Sequence, residues 1–322
     1  MSNHDIIAIG GSTGALDTLK CIFADFPADL PAAVLVVTHI SSDGGNMLAA
    51  ILDAAGPLTV KTATEGDIIE NGHAYTAPAD HHLLIDNGII RLGHGPRENM
   101  ARPAIDPLFR SAALSYGPRV VGVVLTGLLD DGAAGLAAIK RCGGITVVQD
   151  PADAEADSMP LSALSACDID YRAPTGKMAH LLAQLAKEPA PPAPSVATDI
   201  ALEVQIAAGR PSTPEEVAQI ATPVALSCPS CGGVLSQIAE PARLRFRCQI
   251  GHAYTADVLD KEQEAAVAEA IVVALRVLEE RHTLLIKMAA DAKRRNQNSS
   301  AGQYEERAVD YRQKADMLRK AI

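Results

Sequence analysis

The chain has 322 residues, a formal net charge of −11, no tryptophan and only 3% aromatic residues. Such an acidic chain, poor in aromatic rings, lacks the cationic and stacking surfaces on which nucleic-acid binding depends. The length allows two or three domains, and 48% hydrophobic residues suffice for a buried core. No segment resembles a signal peptide or an apolar membrane span, which predicts a soluble, cytoplasmic protein without membrane insertion.

The first half of the sequence alternates between strand-like and helix-like patterns. Nearly all-apolar runs, typical of strands covered on both faces, occupy residues 6–9, 33–38, 120–126 and 145–149. Helical patterns lie between them, for example at residues 107–116 and 133–142. The alternation predicts an α/β fold, with a doubly wound and mostly parallel sheet, over residues 1–186.

Residues 58–92 depart from this alternation. Short strand-like runs lie at residues 73–77, 82–85 and 89–92. They are set off by Asn71-Gly72 and Asn87-Gly88, and Asn-Gly pairs favour tight hairpin turns. We therefore expect a small antiparallel part in this region.

The sequence after residue 186 divides into three segments. Residues 187–200 are rich in proline and alanine, cannot hold a helix and have little to bury, which predicts a linker. Residues 201–255 contain a short helical stretch and a cysteine cluster. Residues 256–322 follow a helical pattern that is broken at residues 296–302, which predicts a long helical hairpin.

Apolar stripes run along both predicted helices of the hairpin. Steps of three or four residues connect Val267, Ile271, Ala274, Leu278, Arg281 and Leu285 in the first helix, and Tyr304, Ala308, Tyr311, Ala315 and Leu318 in the second. We expect these stripes to face each other or a partner, so a homo-oligomer formed through the C-terminal helices stays open.

The six cysteines fall into two groups. Cys21, Cys142 and Cys167 stand alone in apolar surroundings and are expected to be buried thiols. The other three form a Cys-x-x-Cys pair followed by Cys-x-x-x-His, a spacing suited to tetrahedral zinc. The predicted ligands are Cys228, Cys231, Cys248 and His252. Four protein ligands close the coordination shell, which predicts a structural zinc site in a small zinc-ribbon-like module. Chelation should then loosen this segment and leave the remainder of the chain working.

Three arginines alternate along the strand-like run within this module. Arg243, Arg245 and Arg247 should therefore share one face of the strand. A solvated face is the simplest interpretation of that pattern. A docking surface for an acidic partner is the alternative, and nucleic-acid binding is disfavoured because the whole chain is acidic.

Three side chains suited to hydrolysis each follow a predicted strand. Ser12 lies at a glycine-rich turn after the first strand, His39 ends the second, and Asp131 follows the strand at residues 120–126. The carboxyl ends of parallel strands meet at one edge of a sheet, so these side chains should lie close together. His39 would then accept the Ser12 proton, and Asp131 would orient the imidazole.

At these residues the sequence resembles the catalytic domain of the CheB family, the methylesterases of bacterial chemotaxis. The resemblance covers about residues 6–185. It rests on an ordered set of blocks: Ile9-Gly10-Gly11-Ser12-Thr13-Gly14, Ala77-Pro78-Ala79-Asp80-His81-His82, Gly95-Pro96-Arg97-Glu98-Asn99, Arg102-Pro103-Ala104-Ile105-Asp106, Leu125-Thr126-Gly127 and Asp131-Gly132-Ala133.

The resemblance implies roles for five residues. Ser12 matches the nucleophile, His39 the general base, and Asp131 the carboxylate that orients the base. Asp131 is chosen over its neighbour because the family's aspartate directly precedes a Gly-Ala pair. Thr13 and the backbone at Leu128 fall where the family stabilises the oxyanion.

The resemblance also implies a reaction and a partner. The reaction is hydrolysis of methyl-esterified glutamate side chains on chemoreceptors, with deamidation of receptor glutamines by the same chemistry and no catalytic cofactor. Apart from the resemblance, Arg102 is a candidate contact to an acidic receptor helix, and an exposed arginine that only solvates a loop is the alternative interpretation. The receiver domain that usually controls the family has no counterpart in this sequence, so control by phosphorylation through such a domain is not expected.

Other classes of protein share some of these features. Gly10-x-Ser12-x-Gly14 also matches the nucleophile elbow of α/β-hydrolases, but that fold places strands before its serine and the acid before the histidine. A dinucleotide-binding protein is disfavoured because the third glycine of the fingerprint is missing. A catalytically inactive scaffold or adaptor that keeps the methylesterase fold stays open.

Overall fold

The structure is a computed structural model that describes residues 3–39, 47–194, 198–239 and 243–320. Residues 195–197 of the predicted linker lie outside the described residues. The chain forms two compact units, Met1–Val258 and Leu259–Ile322.

Strands and helices alternate through most of the first unit. The strands are β1 (Ile6–Gly11), β2 (Ala33–Thr38), β3 (Thr59–Thr62), β4 (His73–Thr76), β5 (His82–Asp86), β6 (Ile89–Gly93), β7 (Val120–Val124), β8 (Ile145–Gln149), β9 (Tyr171–Ala173), β10 (Ala221–Ser227), β11 (Val234–Ile238), β12 (Arg245–Cys248) and β13 (Ala253–Thr255). The helices of the chain are α1 (Ala15–Asp25), α2 (Met47–Asp53), α3 (Ile105–Tyr116), α4 (Ala133–Arg141), α5 (Ser158–Ala166), α6 (Thr175–Leu185), α7 (Thr198–Ala207), α8 (Pro214–Ala218), α9 (Ala256–Arg294) and α10 (Asn298–Arg319).

The main sheet is parallel, with the strand order β3-β4-β2-β1-β7-β8-β9. One apolar layer, containing Leu19 and Leu182, packs α1 and α6 against one face of the sheet. A second layer, containing Phe109 and Leu136, packs α3 and α4 against the opposite face. Because both faces are covered, the four central strands β1, β2, β7 and β8 are almost entirely apolar. The predicted doubly wound α/β fold is confirmed, and β2 and β8 have the predicted bounds.

The expected antiparallel region is only partly correct. The Asn87-Gly88 pair joins β5 and β6 in an antiparallel hairpin, as predicted. The prediction was wrong for β4, which joins the main sheet parallel to β2 and β3. Asn71-Gly72 does not form a hairpin turn, because β3 ends at residue 62 and no strand immediately precedes the pair.

The cysteine-containing segment forms a second sheet in the same unit. Its four strands are antiparallel in the order β10-β11-β12-β13, with Phe246 and Tyr254 buried. We call this four-stranded sheet, residues 221–255, the ribbon. Helix α7 precedes it and begins inside the predicted linker, and Ile200 of α7 is buried in the apolar layer of α3. The domain boundaries proposed from the sequence stay predictions.

The second unit is a helical hairpin. Leu285 and Ala289 of α9 are buried, as are Ala308 and Ala315 of α10, and the His282 ring binds the Ala308 carbonyl at 2.9 Å. The break spans residues 295–297, which is shorter than predicted. The start of the predicted stripe is not covered within the described chain, because Val267 is 60% exposed. Oligomerisation through these helices stays a prediction.

None of the described helices is both long enough and apolar enough to cross a bilayer.

Candidate active site

Three neighbouring strands bring Ser12, His39 and Asp131 to one edge of the sheet. Strand β1 lies between β2 and β7, and all three run in the same direction. Ser12 directly follows β1, His39 directly follows β2, and Asp131 lies in the loop between β7 and α4. Gly14, in the left-handed conformation with φ 76°, turns the chain from β1 into α1.

A chain of hydrogen bonds links the three side chains. The Ser12 Oγ lies 3.1 Å from His39 Nδ1, and His39 Nε2 lies 2.7 Å from Asp131 Oδ2. The imidazole is partly open to solvent, whereas the Asp131 side chain is only 2% exposed. The imidazole therefore presents Nδ1 to the hydroxyl and Nε2 to the carboxylate, the reverse of the arrangement in chymotrypsin-like enzymes.

The start of helix α3 holds the Asp131 carboxylate. Its Oδ2 accepts a hydrogen bond from the backbone N–H of Ile105 at 2.7 Å, and Oδ1 accepts from Asp106 N at 3.3 Å and Gly132 N at 3.1 Å. Burial alone would raise the pKa of Asp131, but the hydrogen bond and charge of His39, together with these backbone donors, lower it. The carboxylate is therefore ionised in the folded protein.

His39 responds to the same charge. Burial would lower the pKa of this imidazole, but the hydrogen bond and negative charge of Asp131 outweigh burial, so the pKa is raised above 6.5.

The buried carboxyl group of Asp106 has a raised pKa, in contrast to that of Asp131. Its burial, followed by the neighbouring charge of Asp131, raises the pKa of Asp106 to about 7. Asp106 Oδ1 accepts hydrogen bonds from Gly132 N at 3.0 Å and Gly135 N at 2.6 Å, and so fixes the loop that carries Asp131.

The loop after β7 packs closely against Ser12. A Cβ added at Gly127 would lie 3.0 Å from the Ser12 Cβ and 2.0 Å from the Met159 sulfur, so only glycine allows this approach. The next residue, Leu128, is exposed, as is Thr13 on the other side of the serine. Among the described residues, no acceptor takes a hydrogen bond from the backbone N–H of Thr13 or Leu128.

Arg102 lies among groups of its own chain. Its guanidinium donates to Asp80 Oδ1 at 2.7 Å and to the Gly95 carbonyl at 2.8 Å, and its side chain is largely buried. The prediction that Arg102 contacts a receptor stays a prediction.

The predicted metal ligands converge at one end of the ribbon. Their ligand atoms all lie within 4.8 Å of one another: Cys228, Cys231, Cys248 and His252. The Cys231 and Cys248 sulfurs are 3.7 Å apart, and the His252 Nδ1 lies 3.5 Å from the Cys248 sulfur. A tetrahedral zinc ion with bonds of about 2.3 Å to sulfur and about 2.0 Å to nitrogen separates its ligand atoms by about 3.5–3.8 Å. The sulfur separation also excludes a disulfide, whose S–S bond is about 2.05 Å.

The structure corrects two predictions, the burial of the three isolated cysteines and the solvated face of the three alternating arginines. Cys21 is exposed and Cys167 is half-buried, so of the three isolated cysteines only Cys142 is a buried thiol.

The arginine face is not solvated, nor is it a docking surface, because Arg245 and Arg247 are buried against carboxylates of the same chain. Alternation along a strand identifies a shared face but does not say what covers it.

Sequence reasoning missed several groups around Asp131. Asn99 Nδ2 donates to Asp131 Oδ1 at 3.3 Å, and the N–H groups of Ile105 and Asp106 supply the helix terminus. All three residues stand in blocks that the sequence shares with the CheB family. The blocks marked them as notable without assigning them a contact, since the contacts span about 25 to 32 residues.

The fold and the site define a class: doubly wound α/β proteins in which a serine, a histidine and an aspartate meet at the carboxyl edge of the sheet. Within that class, the chain belongs to the CheB methylesterase family, whose model matches residues 7–182.

Individual relatives are similar over the same region. A protein-glutamate methylesterase/protein-glutamine glutaminase 2 of Methanosarcina mazei is 39% identical over 194 residues, covering 58% of this chain and 53% of the relative. A protein-glutamate methylesterase/protein-glutamine glutaminase of Pyrococcus horikoshii is 40% identical over 176 residues, covering 53% of this chain and 48% of the relative. The chain thus spans about half the length of these curated relatives.

The crystal structure of the Thermotoga maritima CheB methylesterase catalytic domain is also similar. It matches with a TM-score of 0.55 and 33% identity, covering 57% of this chain and all of that domain.

Proposed function

We propose that this protein is a serine esterase that removes methyl groups from glutamate methyl esters on chemoreceptors. The observation that carries the proposal is the hydrogen-bonded series Ser12 Oγ, His39 Nδ1 and Nε2, and Asp131 Oδ2. The names of the relatives, which couple methylesterase to glutaminase activity, support the same substrate class and add glutamine deamidation.

The proposed reaction has two halves. Ser12 Oγ attacks the ester carbonyl carbon while its proton passes to His39 Nδ1, and the carbonyl oxygen takes up the negative charge. The intermediate collapses, the bond to the methoxy oxygen breaks, and His39 returns the proton so that methanol leaves. Water then attacks the acyl-enzyme with His39 again as base, which releases the glutamate carboxylate and restores Ser12.

Asp131 keeps the imidazole ready for this exchange. Its ionised carboxylate holds the Nε2–H, which leaves Nδ1 unprotonated and facing the serine. Positive charge that develops on His39 during attack is then offset by a buried negative charge at 2.7 Å.

Two backbone N–H groups are proposed to stabilise the oxyanion. Thr13 follows the serine at the turn into α1, and Leu128 follows the glycine that packs against the serine. Both N–H groups lack an acceptor within the described chain, so they are available to a substrate oxygen. Removal of one oxyanion donor costs about 2.7–4 kcal/mol in comparable enzymes, which gives the scale of this contribution.

We also propose that Cys228, Cys231, Cys248 and His252 hold a structural zinc ion. The Cys231–Cys248 and Cys248–His252 separations, 3.7 and 3.5 Å, match those around a tetrahedral ion, and four protein ligands leave no open position for catalysis. When bound, the ion supplies a cross-link for the ribbon and no chemistry to the esterase.

Cysteines that form no disulfide suit a reducing compartment, so the proposed site of action is the cytoplasm.

Release of methanol from membranes that carry methylated chemoreceptors tests the proposal. Wild type should release methanol, and Ser12→Ala should not, while circular dichroism shows both proteins folded. Equal rates for the two proteins would refute the serine mechanism. The absence of release by wild type, with receptor binding retained, would favour an inactive scaffold or adaptor.

A further inference from the structure

The ribbon is packed against the segment that leads to helix α3. Asn99 N donates to the Ala253 carbonyl at 2.9 Å, and Ala253 N donates to the Arg97 carbonyl at 3.4 Å. Strand β13 is thus bonded on one side to β12 and on the other to residues 97–99. The ribbon therefore extends its sheet onto a loop of the esterase fold.

Asn99 connects this contact to the proposed catalytic carboxylate. Its side-chain oxygen accepts a hydrogen bond from Thr255 N at 3.0 Å, and its Nδ2 donates to Asp131 Oδ1 at 3.3 Å. One amide thus joins the last residue of β13 to the aspartate that holds His39. The backbone of Asn99 is left-handed, with φ 50°, which aspartate and glycine also tolerate.

A second hydrogen bond joins the ribbon to the same loop. Thr255 Oγ1 donates to Asp130 Oδ1 at 2.8 Å, and Arg243 approaches the other Asp130 oxygen at 3.4 Å. Asp130 immediately precedes Asp131 and is 1% exposed. The ribbon therefore contacts the loop between β7 and α4 directly at Asp130 and, through Asn99, at Asp131.

Buried charges anchor the ribbon in this position. Glu98 binds Arg247 of β12 at 3.1 Å and Arg110 of α3. Glu203 of α7 binds Arg245 and Arg247 at 2.6 and 2.7 Å. Because these charges are buried and paired with one another, separating the ribbon from α3 and α7 would leave unpaired charges in the interior.

The metal ligands flank the residues that make these contacts. Cys248 ends β12, and His252 directly precedes β13, so two ligands bracket the turn that aims β13 at Asn99. The Cys248 N–H donates to the His252 carbonyl at 3.0 Å across this turn. A bound ion would fix the turn that positions Ala253 and Thr255.

We infer that Asn99 is a positioning residue through which the ribbon, with its proposed zinc site, holds the proposed catalytic Asp131 in place. The inference rests on the proposed esterase function. It reverses the expectation that chelation leaves the esterase untouched, because the ribbon shares its hydrogen bonds with the loop that carries Asp131.

The first test removes the connection without disturbing the metal. Asn99→Gly keeps the left-handed backbone and deletes the amide. We expect kcat to fall by about tenfold, which corresponds to the loss of a hydrogen bond to a charged group. KM should be unchanged, because Asn99 acts on Asp131 and not on the bound substrate. Asn99→Asp keeps the acceptor for Thr255 N but turns a carboxylate toward Asp131, so kcat should fall further. Asn87→Gly, an asparagine with φ 47° in the β5–β6 turn, is the matched control and should leave kcat unchanged.

The second test removes the metal. Cys231→Ser, or zinc removal by a chelator, should lower kcat and speed hydrogen exchange at the Ile105 and Asp106 amides, which donate to Asp131. If the ribbon acts through Asn99, the double variant Asn99→Gly/Cys231→Ser should be no slower than the slower single variant. Cys21→Ser, at an exposed cysteine of α1, is the matched control.

The outcomes separate this inference from the proposed function. A wild-type rate that does not depend on Ser12 would overturn the proposed function. A Ser12-dependent rate that is unchanged in Asn99→Gly, or multiplicative losses in the double variant, would overturn the inference alone. Unchanged kcat and amide exchange after loss of the metal, confirmed by metal analysis, would also overturn it.

Discussion

Replacement of Asp131 by asparagine tests the proposed triad at its most buried member. Asp131 Oδ2 faces His39 Nε2 and Ile105 N, and Oδ1 faces Asn99 Nδ2, Asp106 N and Gly132 N. Among the described residues, every hydrogen-bond partner of the Asp131 carboxylate is thus a donor, or becomes one when His39 carries its proton on Nε2. An asparagine amide must turn its NH₂ group either toward the partners of Oδ2 or toward the partners of Oδ1.

The lower-cost orientation keeps the amide oxygen on the side with three donors. The NH₂ group then faces the Ile105 N–H, which loses its acceptor, and His39 Nε2, which must give up its proton to accept a hydrogen bond, so that the proton moves to Nδ1. A protonated Nδ1 cannot accept the Ser12 proton at 3.1 Å. In the serine proteases the equivalent change lowers kcat by about 10⁴, which corresponds to about 5.4 kcal/mol of activation free energy.

Methanol release under substrate saturation measures this fall, and ¹⁵N shifts of the imidazole report which nitrogen carries the proton. We expect the proton on Nε2 in wild type and on Nδ1 in Asp131→Asn. Asp17→Asn, on the exposed face of α1, serves as the control for the loss of one carboxylate. A folded Asp131→Asn protein that retains more than about a tenth of the wild-type rate would refute the orienting role, since the expected fall is about 10⁴.

Three further predictions follow from the same geometry. Because the pKa of His39 is raised and the base must be neutral, kcat/KM should fall to half at a pH above 6.5 as the solution is acidified; a midpoint at or below 6.5 would contradict the Asp131 interaction. Asp106 has a folded pKa of about 7 against an ordinary 3.8, so its contribution to stability is fully present below pH 3.8 and is lost as pH rises to about 7. The free energy of unfolding of Asp106→Asn should therefore gain on that of wild type between pH 4 and 7, and a constant difference would contradict this. Leu129 has φ 64°, so Leu129→Gly should raise the free energy of unfolding by about 0.5–1 kcal/mol in denaturant titration. Leu128 has no positive φ, so Leu128→Gly should not raise it.

The sequence predicted the parts of the fold that depend on local pattern. Apolar runs of four to seven residues located β1, β2, β7 and β8, because strands covered on both faces must be apolar throughout. Strand direction was harder to predict. Asn71-Gly72 has the composition of a hairpin turn but lies in a long connection between parallel strands, and only the pairing partners reveal this.

The candidate site also contains residues that the sequence predicts and contacts that it does not. Ser12, His39 and Asp131 could be proposed together because each follows a strand and parallel strands share an edge. Asn99 could not be assigned a contact, because its partners lie 32 and 156 residues away, one in the loop after β7 and the other at the end of β13. The burial of Arg245 and Arg247 was missed for the same reason, since their carboxylate partners lie on α7 and before α3.

The rate of methanol release from methylated chemoreceptor membranes by wild type and by Ser12→Ala tests the proposed serine mechanism. We expect release by wild type and a loss of at least about 10³-fold in the serine variant, given the scale of nucleophile replacements in serine hydrolases. Equal release by the two folded proteins would contradict it.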